Sequence, residues 1–332
     1  MTGTGVGAAR LTVAVTGAGG YVGGRLVSAL GRRPDVTVRA LTRRARPVMG
    51  ASEQLVGDLA VPGDAAERLC AGADTIVHLA GPNEVRTARE PQLSLTELIT
   101  STMSLASAAR AAGVRRTVYV STVHVYGDRL RPGERVDEET PCEPCTAYAI
   151  ARLAAEHVLR ASGPPEAVVL RLTNSVGAPA TPAVDRWSLV ANDLCRQAAL
   201  TGRLVLRSDG RQWRDFVALS DVCRIVGDLC QPGVLPHGTY NLGSGVPMTI
   251  LEMATVVQEV VERTTGRRPD LVVPDGATGP DPGPPPCVAV DRLELAGWTA
   301  KSPVGDAIAE TLRFCYEHRL ELSGSSRPEE RR

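Results

Sequence analysis

Apolar and polar positions along the first half of the chain follow two different rhythms. Six short runs rich in β-branched residues have the pattern of buried parallel strands. These runs are residues 11–15, 36–41, 55–59, 74–81, 117–121 and 167–172. The segments 91–112 and 146–161 repeat apolar residues at helical spacing, and in the second the residues predicted to face inward are Leu153, Ala154, His157 and Val158. Strands alternating with helices predict an α/β fold with a Rossmann-type, doubly wound parallel sheet.

Beyond Asn174 this rhythm loosens, and shorter elements predict a second domain. The predicted helices are 189–199, 219–230 and 250–264, and the predicted strands are 204–206 and 239–242. We expect 1–174 to form the Rossmann domain and 175–320 a smaller, mainly substrate-binding C-terminal domain over the carboxyl ends of the sheet, with 214–242 returning to the first core. The proline-rich segment 275–286 is predicted to be a loop, and 321–332 a disordered tail.

The charge balance narrows the classes of partner. Lys plus Arg and Asp plus Glu both total 37, so the formal net charge is zero. No basic field is available for nucleic acid or for an anionic membrane surface, and neither is expected as a partner. Residues 1–10 have no apolar signal core, and no run approaches about 20 apolar residues. We therefore expect a cytoplasmic protein.

Eight cysteines without a signal segment are expected to be reduced thiols. Cys142 and Cys145 form a C-x-x-C pair, but a metal site needs a second ligand pair, and none stands at the usual spacing. A redox motif would start a helix, whereas Pro141 and Pro144 place this pair in a loop. The sequence predicts no metal site.

A glycine-rich stretch between the first strand and the first helix carries the clearest chemistry. Gly17 allows a sharp turn, Gly20 allows backbone to approach a pyrophosphate, and Gly23 allows the helix to pack close to the strand. The following helix N-terminus offers N–H groups and a partial positive charge to an anion. A structural glycine-rich turn is the alternative, but the strand–turn–helix context favours a bound dinucleotide.

The end of the second strand indicates which dinucleotide is bound. NAD-binding folds place a carboxylate here on the adenosine ribose, and NADP-binding folds place an arginine on the 2′-phosphate. This chain has Arg43 and Arg44 after Thr42, which favours NADP(H) over NAD(H) unless the two arginines form a solvated surface pair. Asp58 and Leu59, at the end of the next strand, are predicted to contact the adenine.

Tyr148 and Arg152 stand four residues apart on a predicted helix, so both project from one face. A phenol has a pKa of about 10, and a fixed cation nearby lowers it toward the range useful to an acid or base. Thr122 follows the fifth strand, where its hydroxyl could bond a carbonyl. A half-buried structural tyrosine is the alternative, which the combination with Thr122 and the glycine loop disfavours.

Several ordered motifs resemble the extended short-chain dehydrogenase/reductases of the NAD-dependent epimerase/dehydratase superfamily, particularly the nucleotide-sugar 4-ketoreductases. The resemblance covers residues 11 to 316. The motifs are Thr16–Gly23, Val77–Gly81, Ser121–Gly127, Tyr148–Arg152, Leu170–Asn174, Arg214–Val217 with Ser220 and Asp221, Tyr240–Gly245, and Asp291 with Leu295–Trp298.

The resemblance implies roles for individual residues. Tyr148 would be the proton donor and acceptor, Thr122 its hydroxyl partner, and Arg152 the cation beside it. The residues expected to bind the cofactor are Gly17, Gly20, Tyr21, Val22, Gly23, Arg43, Arg44, Asp58, Leu59, Leu79, Ala80, Gly81, Ser121, Tyr148 and Arg152. A nucleotide-sugar substrate would be bound by Val123, His124, Asn174 and Arg214. Of these, Asn174 and Arg214 would hold its diphosphate and nucleotide. A homodimer through the helices at 91–112 and 146–161 is also implied.

Departures from the family pattern restrict the reaction. Arg152 stands where the family has lysine, and Leu98 where it often has asparagine. Hexose 4,6-dehydratases carry Asp-Glu after the threonine, whereas this chain has Val123 and His124. Valine cannot move a proton, so 4,6-dehydration is disfavoured. His124 would either orient a hydroxyl or act as a base, or else line the pocket wall.

Hydride transfer remains as the expected chemistry. The favoured function is NADPH-dependent reduction of a dTDP-4-keto-6-deoxyhexose-type substrate in deoxysugar biosynthesis. One alternative is an NAD-dependent nucleotide-sugar 4-epimerase. Because fold does not fix function, a non-catalytic dinucleotide or nucleotide-sugar sensor is a second alternative.

Overall fold

The computed structural model describes residues 10–274 and 283–324. Residues 1–9 of the predicted signal-free N-terminus, 275–282 of the predicted loop and 325–332 of the predicted tail lie outside the described residues. Residues 321–324, also predicted to be disordered, belong to a short helix.

The strands are β1 Leu11–Thr16, β2 Val36–Thr42, β3 Glu53–Val56, β4 Thr75–His78, β5 Arg116–Thr122, β6 Arg135–Val136, β7 Glu166–Leu172, β8 Asn174–Val176, β9 Arg203–Val205, β10 Trp213–Ala218, β11 Gly238–Leu242, β12 Pro247–Thr249, β13 Asp270–Val272 and β14 Cys287–Val288. The helices are α1 Tyr21–Leu30, α2 Ala65–Cys70, α3 Glu84–Arg89, α4 Pro91–Ala111, α5 Ala147–Ser162, α6 Val190–Thr201, α7 Leu219–Asp228, α8 Ile250–Thr265, α9 Asp291–Leu295, α10 Val304–Glu317 and α11 Arg319–Gly324. A 3₁₀ segment spans Val123–Arg129.

The central sheet has seven strands in the order β11-β7-β5-β4-β1-β2-β3. The pairings from β5 across to β3 all run parallel. The strand order reverses at β1, which pairs with β2 on one side and β4 on the other. In open α/β sheets the crevice at such a reversal binds ligands. The predicted Rossmann-type parallel sheet is confirmed.

The described residues divide into two compact units. Unit 1 comprises 10–125, 144–170 and 223–239, and unit 2 comprises 126–143, 171–222, 240–274 and 283–324. The prediction divided the chain at residue 174 and returned 214–242 to the first core; in the structure 223–239 belongs to unit 1, whereas 126–143 belongs to unit 2. The segment 126–143 groups with unit 2 because its own bonds lie there: the Tyr126 hydroxyl donates to Asn241 Oδ1 at 2.7 Å, and the Asn241 N–H donates to Glu138 at 2.7 Å.

Unit 1 packs α4 beside α5, with small side chains between them. Leu98 and Ala106 of α4 share a buried cluster with Ala151 and Ala155 of α5, and with Tyr119 of β5. Alanine at these positions leaves room for the neighbouring side chains at close helix spacing.

The predicted inward face of α5 is wrong, because a different face is covered. Its buried residues are Ala149, Ala151, Arg152, Ala155, Glu156 and Leu159. His157 is exposed, and Leu153, Ala154 and Val158 are only half-buried.

Unit 2 has its own core and a smaller sheet in the order β12-β10-β8. Its buried cluster joins α6, α8 and α10, with Leu194, Met253 and Ile308 among the buried residues. Strand β10 and helix α10 were not predicted, and neither were the short helices α2 and α3. Among the described residues, no helix is long and apolar enough to span a bilayer.

Arg116, at the start of β5, provides a test of how unit 1 is held together. Its fully buried guanidinium donates to Glu166 at 2.8 Å and to the carbonyls of Leu229 and Leu235 at 3.2 and 2.7 Å. We expect Arg116→Ala to lower the free energy of unfolding by about 3–5 kcal/mol, because the Leu229 and Leu235 carbonyls lose this donor and Glu166 loses its ion-pair partner. Denaturant unfolding measures the change. The neighbouring exposed Arg115→Ala is the control and should change it by less than about 0.5 kcal/mol; equal effects would contradict the role of Arg116.

Candidate functional site

A chain of buried hydrogen bonds joins the ends of β1 and β4. The Thr16 hydroxyl oxygen accepts the backbone N–H groups of Leu79 and Ala80, both at 3.1 Å. Thr16 Oγ1 lies 2.8 Å from His78 Nδ1, and His78 Nε2 lies 3.2 Å from Thr102 Oγ1. The Thr102 hydroxyl donates its one hydrogen to the Leu98 carbonyl at 2.7 Å. His78 therefore carries its proton on Nε2 and accepts the Thr16 hydrogen at Nδ1.

The glycine loop fits tightly against this junction. Gly17 has φ of +65°, and a Cβ there would lie 2.8 Å from the backbone nitrogen of Ala80. A Cβ on Gly23 would lie 2.1 Å from the Gly17 carbonyl oxygen. Both positions therefore require glycine, one for its conformation and both for close approach. Among the described residues, no side chain caps the N-terminus of α1, and its first turn holds no acidic residue.

The loop opens onto a cavity of about 820 Å³ in unit 1. That volume lies within the roughly 300–1,000 Å³ typical of ligand pockets. The predicted cofactor residues that line it are Gly17, Gly20, Arg43, Arg44, Asp58, Leu59, Leu79, Ala80 and Gly81. Three features fit a bound dinucleotide: the glycine loop has no room for a Cβ at Gly17, the N-terminus of α1 is uncapped, and arginines line the cavity.

The wall after β2 holds three arginines in different situations. Arg43 donates to Glu97 at 2.8 Å. Arg44 is exposed to the cavity and has no hydrogen-bond or ion-pair partner within the described part of the chain. Arg46 donates to the Gly19 carbonyl at 2.5 Å, so its guanidinium lies on the glycine loop. Sequence reasoning missed Arg46 and Glu97; the spacing Arg43-Arg44-Ala45-Arg46 was the available signal for the first.

Six predicted cofactor residues do not line this cavity: Tyr21, Val22, Gly23, Ser121, Tyr148 and Arg152. Tyr21 is buried, Val22 is half-buried, and Gly23 packs under Gly17. The Ser121 hydroxyl donates to the fully buried Glu156 at 2.5 Å. Cofactor contact by these residues stays a prediction.

Tyr148 and Arg152 lie on one face of α5, as predicted. The Arg152 guanidinium carbon lies over the Tyr148 ring, 5.2 Å from its centroid, and Nη2 is 3.4 Å from the Pro82 carbonyl. Tyr148 is half-buried and Arg152 is buried. Burial opposes the charged form, but the phenols of Tyr148 and Tyr119 more than offset it and raise the pKa of Arg152 above its ordinary value.

Two further residues surround Arg152 that the sequence did not single out. The Tyr119 ring stacks on His78 with centroids 5.4 Å apart. Burial raises the pKa of Tyr119 to about 12, although the charge of Arg152 opposes this. Burial, together with the smaller effect of the Arg152 charge, lowers the pKa of His78 to about 3. The imidazole is therefore neutral, and the positive charge at this point is that of Arg152. A histidine within the apolar run Thr75–His78 was the available signal.

Thr122 is the last residue of β5, as predicted. Its hydroxyl oxygen accepts the backbone N–H of His124 at 3.2 Å, and this bond does not use the hydroxyl hydrogen. Val123 is buried, and the His124 side chain is exposed.

Asn174 and Arg214 belong to unit 2, on the paired strands β8 and β10. The Asn174 amide donates to the Asp215 carbonyl at 2.9 Å. Arg214 is exposed and bonds to its neighbour's carbonyl, Trp213 O, at 2.7 Å. Their binding of a substrate stays a prediction.

None of the eight cysteines is disulfide-bonded, and Cys142 and Cys145 lie in a loop. Within residues 10–274 and 283–324, no group of side chains could hold a metal ion.

Comparison with known proteins finds relatives among nucleotide-sugar enzymes. A family model described as the NAD dependent epimerase/dehydratase family matches residues 13–243. The dTDP-6-deoxy-L-talose 4-dehydrogenase (NAD(P)(+)) of Kitasatospora kifunensis is 29% identical over 314 residues, covering 90% of this chain and 93% of that protein. The UDP-glucose 4-epimerase of Azospirillum brasilense is 28% identical over 340 residues, covering 95% and 94%.

Among solved structures, the UDP-glucose 4-epimerase of Thermus thermophilus in complex with NAD is similar throughout. It has a TM-score of 0.74 and 25% identity, and the match covers 92% of this chain and 99% of that chain.

The buried imidazole predicts a pH dependence of stability. His78 has a pKa near 6.5 in the unfolded chain and about 3 when folded. Between these values the unfolded chain binds a proton that the folded chain excludes, so the free energy of unfolding falls as pH decreases, by about 1.4 kcal/mol per pH unit. Urea unfolding of the wild type and His78→Gln between about pH 5 and 6.5 measures this, and the variant should lose that part of the slope.

The exposed His157→Gln is the matched control and should keep the wild-type slope. Equal slopes for the wild type and His78→Gln would contradict a neutral, buried imidazole.

Proposed function

The chain belongs to the NAD-dependent epimerase/dehydratase family, and on that premise we propose that it reduces a keto group of a nucleotide-activated sugar with NADPH. The observation that carries the proposal is the Tyr148–Arg152 pair on α5, with the Arg152 guanidinium 5.2 Å over the phenol ring. The proposed substrate class is a dTDP-4-keto-6-deoxyhexose, in deoxysugar biosynthesis. The relative from Kitasatospora kifunensis, a 4-dehydrogenase of a dTDP-sugar, supports this choice.

Each step of the proposed reduction has a residue suited to it. NADPH supplies the hydride when bound. Thr122 directs its hydroxyl hydrogen at the carbonyl oxygen, and Tyr148 gives a proton to the alkoxide as the alcohol forms. Arg152 stabilises the phenolate that remains, because its positive charge lies against the ring. The hydride and one proton convert the ketone to the alcohol.

Val123 and His124 support reduction over elimination. Water elimination needs an acid and a base at these positions, and the buried Val123 can be neither. The exposed His124 is proposed to contact the substrate, and Asn174 and Arg214 its diphosphate and nucleotide.

The choice of NADP(H) rests on the arginines at the cavity wall. Arg44 lines the cavity, and its guanidinium can bind the adenosine 2′-phosphate of NADP(H) through charge-assisted hydrogen bonds. NAD(H) is the alternative cofactor.

A 4-epimerase that retains NAD is the second candidate function, and one observation favours it. Glu97 holds Arg43 and so removes part of the cationic character expected for NADP(H). The relative from Azospirillum brasilense is a 4-epimerase. A homodimer through α4 and α5 also stays a prediction, supported by the exposed apolar side chains of Leu93, Met103 and Ile150.

The proposed function predicts that NADPH is oxidised, with loss of its absorbance, when a dTDP-4-keto-6-deoxyhexose is added to the protein. Tyr148→Phe should lower kcat at least about 100-fold, since it removes the proton donor. It should leave the NADPH dissociation constant nearly unchanged, because the ring under Arg152 is kept. The exposed Tyr316→Phe on α10 is the control and should retain activity. Persistent activity in Tyr148→Phe, or epimer formation with bound NAD and no NADPH oxidation, would overturn the proposal.

Restoring the family's lysine separates an enzyme from a non-catalytic sensor. We expect Arg152→Lys to retain turnover, because the charge beside Tyr148 is kept, and to change KM for NADPH, because an ammonium reaches different acceptors from a planar guanidinium. Steady-state kinetics measure both constants. A protein inactive as the wild type and as Arg152→Lys, but still binding NADPH, would be a sensor.

A further inference from the structure

The cavity wall contains an ion-pair cluster formed by one carboxylate and two guanidinium groups. Glu97 Oε1 accepts from Arg43 Nη1 at 2.8 Å and from Arg86 Nη1 at 3.1 Å. Glu97 Oε2 accepts from Arg86 Nη2 at 2.6 Å. The Glu97 side chain is only 17% exposed, whereas that of Arg43 is 60% exposed. The carboxylate is therefore the fixed centre of the cluster, and Arg43 is its outer, solvated arm.

Glu97 comes from α4 and lines the same cavity as the arginines that follow β2. Arg43 follows β2, where the two nicotinamide dinucleotides differ: NADP carries a phosphate on the adenosine 2′-oxygen and NAD carries a hydroxyl. A guanidinium already bound to a carboxylate must give up a charge-assisted bond before it binds that phosphate. The carboxylate also repels the phosphate across the same space.

We propose that Glu97 sets the selectivity between NADP(H) and NAD(H), by holding Arg43 away from the 2′-phosphate and leaving Arg44 as its principal ligand. This rests on the proposed function only in that the cavity binds a dinucleotide. The two adjacent arginines then have different roles. Arg44, which has no ion-pair partner among the described residues, contacts the phosphate. Arg43 stays bound to Glu97 and does not contact it.

The structure supplies a matched control for Glu97. Glu90 also pairs with Arg86, at 3.3 Å between Oε2 and Nε, and is more exposed at 51%. Glu90 does not bond to Arg43 and does not line the cavity. If a change in dinucleotide binding comes only from loosening Arg86, it should therefore appear in both Glu97→Gln and Glu90→Gln. If it comes from releasing Arg43, it should appear in Glu97→Gln alone.

The test measures dissociation constants of NADPH and NADH for the protein without sugar, by titrating the fluorescence of each dinucleotide. Glu97→Gln should tighten NADPH binding about tenfold, since a charged donor is released to the phosphate. It should change NADH binding by less than about twofold, and Glu90→Gln should change neither constant by more than that. A Glu97→Gln protein whose NADPH-to-NADH ratio stays within about twofold of the wild type would overturn the proposal.

Two arginine variants test the same idea from the other side of the ion pair. Arg44→Ala should weaken NADPH binding about tenfold and leave NADH binding unchanged. Arg43→Ala should weaken NADPH binding much less. Added to Glu97→Gln, it should abolish the tighter NADPH binding of that variant. If Arg43→Ala weakens NADPH binding more than Arg44→Ala does, the proposal is overturned. If neither dinucleotide binds the wild type, the proposed function fails; if both bind and the ratio does not respond, only the role of Glu97 fails.

Discussion

The Thr16 hydroxyl makes three hydrogen bonds where the glycine loop leaves the sheet, and the geometry of unit 1 depends on them. Its oxygen accepts from Leu79 and Ala80, and its hydrogen goes to His78. These bonds fix the end of β4 against the end of β1, which leaves no room for a Cβ on Gly17. One wall of the cavity is thus built from backbone. The side chains of Thr16 and His78 hold it in place, and each uses all of its hydrogen-bonding groups. A buried polar network of this kind is rigid only when it is complete.

The same network governs charge next to Tyr148. A protonated imidazole at His78 would place a second cation near Arg152, but burial and the Arg152 charge keep it neutral. The guanidinium is therefore the cation that the phenol experiences from this side. Arginine retains its charge when buried more reliably than lysine, which makes its presence here compatible with a dry site. The guanidinium carbon lies over the Tyr148 ring, 5.2 Å from its centroid, whereas an ammonium would present a compact point charge.

The sequence predicted most of the sheet and the placement of Thr122, because buried strands and glycine turns leave strong local patterns. Prediction failed where tertiary packing decides between similar faces. The buried face of α5 holds Arg152 and Glu156 besides its alanines, whereas His157 is exposed, because contacts with neighbouring elements decide which face is covered. Glu97 could not be connected to Arg43 because 54 residues separate them along the chain. Short elements such as α3 are formed by caps and neighbours more than by periodicity, as with the Asn83 side chain that accepts from Arg86 N–H.

The ion-pair cluster at Glu97 also bears on how this chain could diverge. Glutamate and glutamine codons differ by a single base, and the side chains have nearly the same shape. If the carboxylate restrains Arg43, one point mutation would move the protein between two cellular redox pools without altering its backbone. A lineage could then change its source of reducing equivalents before changing its substrate, with Arg43 already in position to be recruited.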